Sequence, residues 1–316
     1  MTPEAPAPTG GLPLHVSHSQ LSSWSDRCQK AFFLERIAKA PKTPAFWFIG
    51  GSAVHEVTEE LDRRALEFGL TPSDLNVTMD LEDLFLAKFD QLLREEEEKS
   101  GVPSTDWLAA GFRPKQDATY WKTNGPTMIS NYLSWRERVG WEIAEVPADP
   151  YERDKSEQYN VPAIELQLNL TLDLNGTETE VLGAPDRVFV LPNGELVIVD
   201  IKSGSTTPAT QLQQGLYACM IEDHYGVRPK YGTFVKVGTS PKAGGVHTAL
   251  TKLDKFDRRY YEQLFSAYRA QAETGLFLPS VSDMCDRCPV AGSCYAAGGS
   301  LSHKYDPLDP SYRGAK

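Results

Sequence analysis

Residues 183–204 read GAPDRVFVLPNGELVIVDIKSG, two apolar runs divided by Pro192-Asn193-Gly194. Both runs are rich in Val, Ile and Leu, and Pro-Asn-Gly is turn chemistry, so the segment predicts an antiparallel hairpin. With a three-residue loop, Leu191 pairs with Glu195 and counting outward sets Asp186 opposite Asp200. Side chains alternate along a strand, so Lys202 then shares a face with Asp200. A two-residue loop would instead set Asp186 opposite Ile201 and turn it to the other face. Two carboxylates facing each other destabilise a hairpin, so the first register calls for a compensating cation.

Working outward, Ile164, Leu166, Leu168, Leu170, Leu172 and Leu174 alternate with mostly polar residues, the period-two pattern of a strand. Asn175-Gly176 turns that strand into one running to about Leu191, giving three strands in a meander. Gln211–Asp223 reads as a helix, Tyr231–Val237 as a further strand, and Leu253, Phe256, Tyr260, Leu264 and Tyr268 as the stripe of a final long helix. On the N-terminal side, Ser19 is placed to cap a helix continuing through Trp24 and Cys28 into AFFLERI. Gly50-Gly51-Ser52 precedes a second helix with the stripe Val54, Val57, Leu61 and Ala65, and His55 lies beside that stripe. Residues 81–99 and 126–139 are also helical by period, so roughly 70–145 forms a helical insert, with Glu95–Glu98 a solvated helix end. The expected fold is mixed α/β: a central mixed sheet flanked by helices. Residues 1–13, punctuated by Pro and Gly, read as a flexible lead, 14–298 as a single domain and 299–316 as a C-terminal tail.

The 316 residues are 41% hydrophobic and 24% charged, which excludes a largely disordered chain. No apolar stretch reaches the length of a membrane span and no short apolar run follows a basic N-terminus, so a cytoplasmic protein with no membrane partner is expected. The net charge of −11 repels polyanions, so any contact with nucleic acid needs a local basic surface or a bound cation.

Two aspartates beside a lysine suit a divalent-metal phosphodiesterase. Hard oxygen ligands hold Mg²⁺ or Mn²⁺, the metal activates water, and an ammonium steadies the developing negative charge. The plainer reading of the same residues is a weak Asp–Lys pair at a surface strand end. Cys285, Cys288 and Cys294 cluster near one end and Cys28 near the other, a one-plus-three set suited to tetrahedral zinc or a [4Fe–4S] cluster, which spacing alone does not separate. Cys219, alone on its helix, reads as a buried small hydrophobe.

Pro185-Asp186 followed by Asp200-Ile201-Lys202 across a hairpin resembles the PD-(D/E)xK nuclease superfamily, with its restriction-endonuclease-like core. QLQQGLYA, which places Gln213 four residues before Tyr217, looks like the Q-x-x-x-Y element of RecB-like nucleases, and GGSAVHEVTEEL resembles their G-x-x-x-H helix. The resemblance spans about 15–296. It implies Asp186, Asp200 and Lys202 as catalytic residues, His55, Asp186, Asp200 and the Ile201 carbonyl as metal ligands, and Gln213 and Tyr217 as DNA contacts. The cysteine layout is similar to that of iron–sulfur members, including the AddB nuclease domain and the CRISPR-associated exonucleases. That likeness favours a structural [4Fe–4S] cluster on Cys28, Cys285, Cys288 and Cys294 over Zn²⁺. Gln29, where many relatives have Pro, departs from the pattern.

The resemblance therefore implies a Mg²⁺- or Mn²⁺-dependent DNA exonuclease acting on single-stranded ends in a bacterial cell or phage-infected host. Arg27, Lys30, Arg36 and Lys39, with Phe32 or Trp24, are the expected approach for the strand. A non-catalytic DNA-end adaptor has no need of the full Asp, Asp, Lys and His set. A two-carboxylate glycosidase leaves the lysine and the cysteines unexplained. Digestion polarity, recombination or CRISPR partner proteins and self-association stay open.

Overall fold

The computed structural model describes residues 16–314, apart from 23, 25–27, 112–114, 150, 152–157, 205–206 and 241–243. The proposed lead at 1–13 and Arg27 lie outside the described residues. The N-terminal part contains β1 (Val16–Ser17), α1 (His18–Ser22), α2 (Gln29–Phe32), a wider π-type turn over Phe33–Ile37, and the long α3 (Phe46–Phe68). Then come α4 (Pro72–Thr78), α5 (Leu81–Ser100) and α6 (Ala118–Val139). The strands β2 (Glu142–Ile143), β3 (Glu145–Pro147), β4 (Asn160–Pro162), β5 (Leu168–Asp173), β6 (Glu178–Gly183), β7 (Arg187–Val190) and β8 (Leu196–Lys202) follow. The chain continues as α7 (Leu212–Tyr225), β9 (Tyr231–Lys236), β10 (Val246–His247), β11 (Thr251–Lys252), α8 (Arg258–Glu273) and α9 (Ser302–Tyr305). No described helix is long and apolar enough to cross a membrane.

The main sheet runs β10-β9-β8-β7-β2, with β11 also on β9. β8 is its buried centre. Val197, Val199 and Ile201 face one core with α3, α5 and α6, while Ile198 faces another with α7 and α8. Burial on both faces is why the strand reads as a continuous apolar run rather than an alternating one. β8 and β9 are parallel, and α7 makes the crossover such a pair requires. A smaller sheet, β1-β6-β5, shows true alternation: Leu168, Leu170 and Leu172 are buried and the residues between them exposed.

Several boundaries differ from the sequence expectation. The strand expected to run on to Leu191 breaks at Ala184–Asp186, where Pro185 has no N–H to give a ladder. β6 thus stays in the small sheet and β7 joins the main one, so two hairpins replace the meander. The strand expected from Ile164 starts at Leu168, because Glu165 adopts φ 49° and interrupts the extended backbone. α1 spans His18–Ser22, and Cys28, read as part of the same helix, is instead extended (φ −133°, ψ 118°) at the start of α2. Ser19 lies inside α1 rather than before it.

α3 opens at Phe46 and runs through Gly50 and Gly51 instead of starting after them. Likewise α6 begins at Ala118, where Asp117 accepts from the Tyr120 N–H, and it carries Pro126 internally. α8 begins only after Asp257 caps it, leaving Leu253 and Phe256 buried ahead of it. Beyond Gly298 the chain docks: Asp306 is fully buried, 3.0 Å from the ammonium of buried Lys30.

Gly50 marks where α3 meets α6, since a Cβ there would lie 2.0 Å from the Trp121 indole. In an exposed helix Gly→Ala is favourable by about 1 kcal/mol. Here Gly50→Ala is expected to destabilise by about 1–3 kcal/mol through overpacking, read as a lower urea midpoint with an unchanged m-value.

Candidate active site

The loop between β7 and β8 fixes the register. Gly194 takes φ 82° and donates its N–H to the Leu191 carbonyl, while the Leu191 N–H donates to the Glu195 carbonyl, both at 2.8 Å. Val190 pairs with Leu196 and Arg187 with Val199, so the three-residue loop is the one adopted. One step outward, Asp186 stands across from Asp200, and the Ile201 N–H donates to Asp186 Oδ2 at 2.7 Å. α3 brings the third group: His55 Nδ1 lies 3.4 Å from Asp186 Oδ2. The helix passes beside the end of β8, where a Cβ on Gly51 would stand in ordinary van der Waals contact with Ser203 Oγ, at 3.6 Å.

Each charge responds to its neighbours. Burial and then the Asp186 charge push the Asp200 carboxyl up to about 6, against the opposing pull of Lys202. Burial would also raise Asp186, but His55, the Ile201 N–H and Lys202 outweigh it and hold that carboxyl below its ordinary range. Burial pulls His55 down, yet the two aspartates prevail and its pKa is raised. Lys202 Nζ lies 2.5 Å from Asp200 Oδ2. That oxygen is buried, and the ammonium is the charge that it faces.

Glu165 joins the site without having been predicted. His55, Glu165 and Asp186 each offer a ligand atom, all within 4.8 Å of one another. Burial and then Asp186 push the Glu165 carboxyl up to about 7. Its period-two position made it look like one more polar strand residue; only the positive φ turns it inward, and no residue-type signal marks that. Arg187, also missed, is fully buried between the two halves of the site. Its guanidinium donates to the Asp186 carbonyl at 2.6 Å and to Asp62 Oδ2 at 2.7 Å, and lies 3.7 Å from the Glu165 carboxylate. Tyr132 donates its hydroxyl to the same Asp62 oxygen.

A cleft of about 450 Å³ opens over the site, lined by Trp47, Phe48, His55, Glu59, Glu165 and Asp186 among others. On α7, Gln213 Nε2 donates to Tyr217 Oη at 2.8 Å. Burial, then Asp186 and Asp200, raise the Tyr217 phenol, so the ring senses both carboxylates. Cys28, Cys285, Cys288 and Cys294 line a second, mostly apolar cavity of about 450 Å³. Burial raises the thiols of Cys288 and Cys294, while the Val290 N–H points at Cys288 and those of Ala296 and Ala297 at Cys294. The Ser280 N–H donates to Cys28 Sγ at 3.3 Å. Cys219 is buried as expected and donates its S–H to the Phe256 carbonyl.

The expected strand-approach residues fare differently. Lys30 is buried in its pair with Asp306, and Phe32 is buried against Tyr268 and Phe277, so neither can meet a ligand. Trp24 packs edge-on against Tyr268. Lys39 is exposed, at φ 52° just after the π-type turn, and Arg36 is half-buried.

Comparison with known proteins adds a family. The sequence model of the PD-(D/E)XK nuclease superfamily matches residues 15–295. The Gene 69 protein of Mycobacterium phage L5 is 29% identical over 303 residues, covering 90% of this chain and 96% of its own length. Its counterpart in Mycobacterium phage D29 is 29% identical over 287 residues, covering 90% and 97%. The crystal structure of SSO0001 aligns at 14% identity and a TM-score of 0.27, over 42% of this chain and 60% of that one.

Asp200 and Glu165 keep their protons to higher pH in the folded chain than their ordinary values of 3.8 and 4.5 allow. The folded state therefore binds more protons than the unfolded state between about pH 4 and 7, and these two groups' contribution to stability falls as pH rises through that window. A bound cation requires their ionised forms and a neutral His55, so it reverses the trend. Mn²⁺ is expected to raise the thermal unfolding midpoint more at about pH 8 than at about pH 5; equal shifts at both would contradict this.

Proposed function

The chain belongs to the PD-(D/E)XK nuclease superfamily, and on that premise we propose that it is a Mg²⁺- or Mn²⁺-dependent deoxyribonuclease that degrades DNA from single-stranded ends. The observation that carries the hydrolytic reading is the opposition of Asp186 to Asp200 with Lys202 on the same face and His55 across from them. End-directed action on single strands draws its support from the likeness to RecB-like nucleases in the order of the His55, Asp186, Asp200–Lys202 and Gln213–Tyr217 elements. Residues 14–298 act as one nuclease domain on this reading, in the cytoplasm of a phage-infected or bacterial cell.

The donor set fits a hard divalent cation. The imidazole of His55 and the carboxylates of Glu165 and Asp186 offer ligand atoms within 4.8 Å of one another, and Asp200 faces Asp186 across the hairpin as a further hard oxygen donor. His55, Asp186, Asp200 and the Ile201 carbonyl would hold the ion, with Glu165 as a further oxygen donor. When bound, the ion lowers the pKa of water and offsets charge on the phosphodiester. Lys202, steered by Asp200, presents an ammonium where charge develops on the attacked phosphate. Arg187 holds the Asp186 main chain and faces the Glu165 carboxylate, so both enter the cleft in fixed positions. Gln213 and Tyr217 sit beside the carboxylates as strand contacts.

The cysteines hold a structural [4Fe–4S] cluster on this reading. Four sulfurs around one apolar cavity, with backbone N–H groups aimed at three of them, match the surroundings of such clusters. The preference for the cluster over a single zinc rests on the likeness of the one-plus-three cysteine layout to iron–sulfur members of the superfamily. Linking Cys28 to Cys285–Cys294 closes most of the chain, contributing on the order of 5 kcal/mol by loop entropy.

Incubation of end-labelled single-stranded DNA is the direct test. Mn²⁺ is expected to support degradation, EDTA to abolish it, and Lys202→Ala to slow it by about 10²–10³-fold, the scale seen when one electrostatic stabiliser is removed. DNA binding without cleavage by a folded wild type would replace this reading with the end-binding adaptor. Anaerobically purified protein is expected to be brown and to carry iron, and Cys288→Ser to lose the colour and lower the thermal midpoint. A colourless, zinc-loaded protein would keep the nuclease and remove the cluster.

A further inference from the structure

α3 begins with three consecutive aromatics, Phe46-Trp47-Phe48. Successive helical residues point about 100° apart, so they cannot all face the core. Phe46 takes the inward position, packed on Trp107 with ring centroids 5.3 Å apart, and its N–H donates to the Leu108 carbonyl. Phe48 is left facing outward, 47% exposed, and half-buried Trp47 lies beside it with ring centroids 5.6 Å apart while also packing on the core. Water contact on so large an apolar ring costs free energy that nothing in the fold recovers.

Both rings occupy a particular place. They line the cleft that contains His55 and Asp186, and they also line the neighbouring cavity that holds the four cysteines. Glu56, Glu59 and Glu165 share the first cleft, Glu56 paired with Lys88 and Glu59 with Arg63, so the rings are its apolar part and a neutral, flat group fits them. Exposed Arg287 also lines the second cavity.

We propose that Trp47 and Phe48 form a stacking platform for an unpaired nucleobase next to the phosphodiester held at Asp186, and that this platform makes the enzyme prefer single strands. The inference rests on the nuclease reading above and adds the substrate feature that the site selects. Bases inside a duplex stack on both faces and the end pair of a blunt duplex stays hydrogen-bonded to its partner, so an unpaired base that can turn onto the rings comes from a single strand or a frayed end. Because the first turn of α3 is anchored through Phe46 and Leu108, the rings are positioned before the strand arrives.

The test measures binding, so it does not depend on turnover. Full-length wild type, Phe48→Ala, Phe48→Leu and Phe48→Tyr are titrated in Mn²⁺ against fluorescein-labelled oligonucleotides with phosphorothioate linkages, as single strand and as blunt duplex. Phe48→Ala and Phe48→Leu are expected to weaken single-strand binding by about tenfold, the scale of one base stacked on one ring, and to leave duplex binding unchanged. Phe48→Tyr is expected to bind as wild type does. Leu retains apolar bulk but has no π-face, so weakening in Leu with rescue in Tyr is an outcome that simple support of the helix would not produce. Wild-type affinity in Phe48→Ala, equal losses for both DNA forms, or full retention in Phe48→Leu would each overturn the platform. Selective single-strand loss with no cleavage of ordinary DNA by the wild type would support the platform and overturn the nuclease reading alone.

Discussion

The opposition of Asp186 and Asp200 across the β7–β8 hairpin is the constraint around which the rest of the molecule is arranged. Two carboxylates brought together at the buried end of a sheet repel each other and lose their hydration. The protein tolerates the pair by surrounding it with partial and full positive charge: the Ile201 N–H and His55 on Asp186, and Lys202 on Asp200. Compensation is incomplete, since burial and the Asp186 charge still leave the Asp200 carboxyl raised to about 6. A divalent ion held there, as proposed above, would relieve the repulsion that folding creates.

Beneath that surface lies a second polar layer with a different task. Arg187, Asp62, Arg136 and Tyr132 form a buried group in which Asp62 accepts from the Tyr132 hydroxyl and from Arg187, and lies 3.4 Å from Arg136. Burying such charges is costly unless each is paired, so the group is rigid by necessity. It joins α3, α6 and β7, the three elements that must keep their relative positions if His55 and Asp186 are to stay within reach of each other. The same arginine ties the Asp186 carbonyl, which makes the buried layer a mount for the site above it.

The two ends of the described chain are fastened to each other close to the site, whose cleft shares Trp47 and Phe48 with the cysteine cavity. Lys30 and Asp306 form a buried ion pair, and Cys28 shares a cavity with Cys285, Cys288 and Cys294. Both closures act on α2 and its π-type turn, which is bounded by the extended Cys28 and lies ahead of α3. The ionic and sulfur contacts thereby set where α3 enters, and α3 carries both His55 and the exposed aromatic pair.

Much of this was legible in residue order because it is local. The hairpin turn, the strand periods of Leu168–Leu172, the stripe of α3 and the spacing of Gln213 and Tyr217 follow from chemistry within a few residues, and each of these elements is present. The loop length was open between two choices, and the left-handed Gly194 with its hydrogen bonds settles it. Glu165 was hidden because its role depends on one backbone angle and on strands that pair far away in sequence. Lys30 and Phe32 looked like surface groups because charge and ring alone do not reveal burial; a partner 276 residues away does. Sequence by itself determined which groups are available and which lie on one face of one element. Tertiary structure decided which distant groups share a dielectric and a cavity, since repulsion, desolvation and convergence depend on distances in space that the order of residues does not contain.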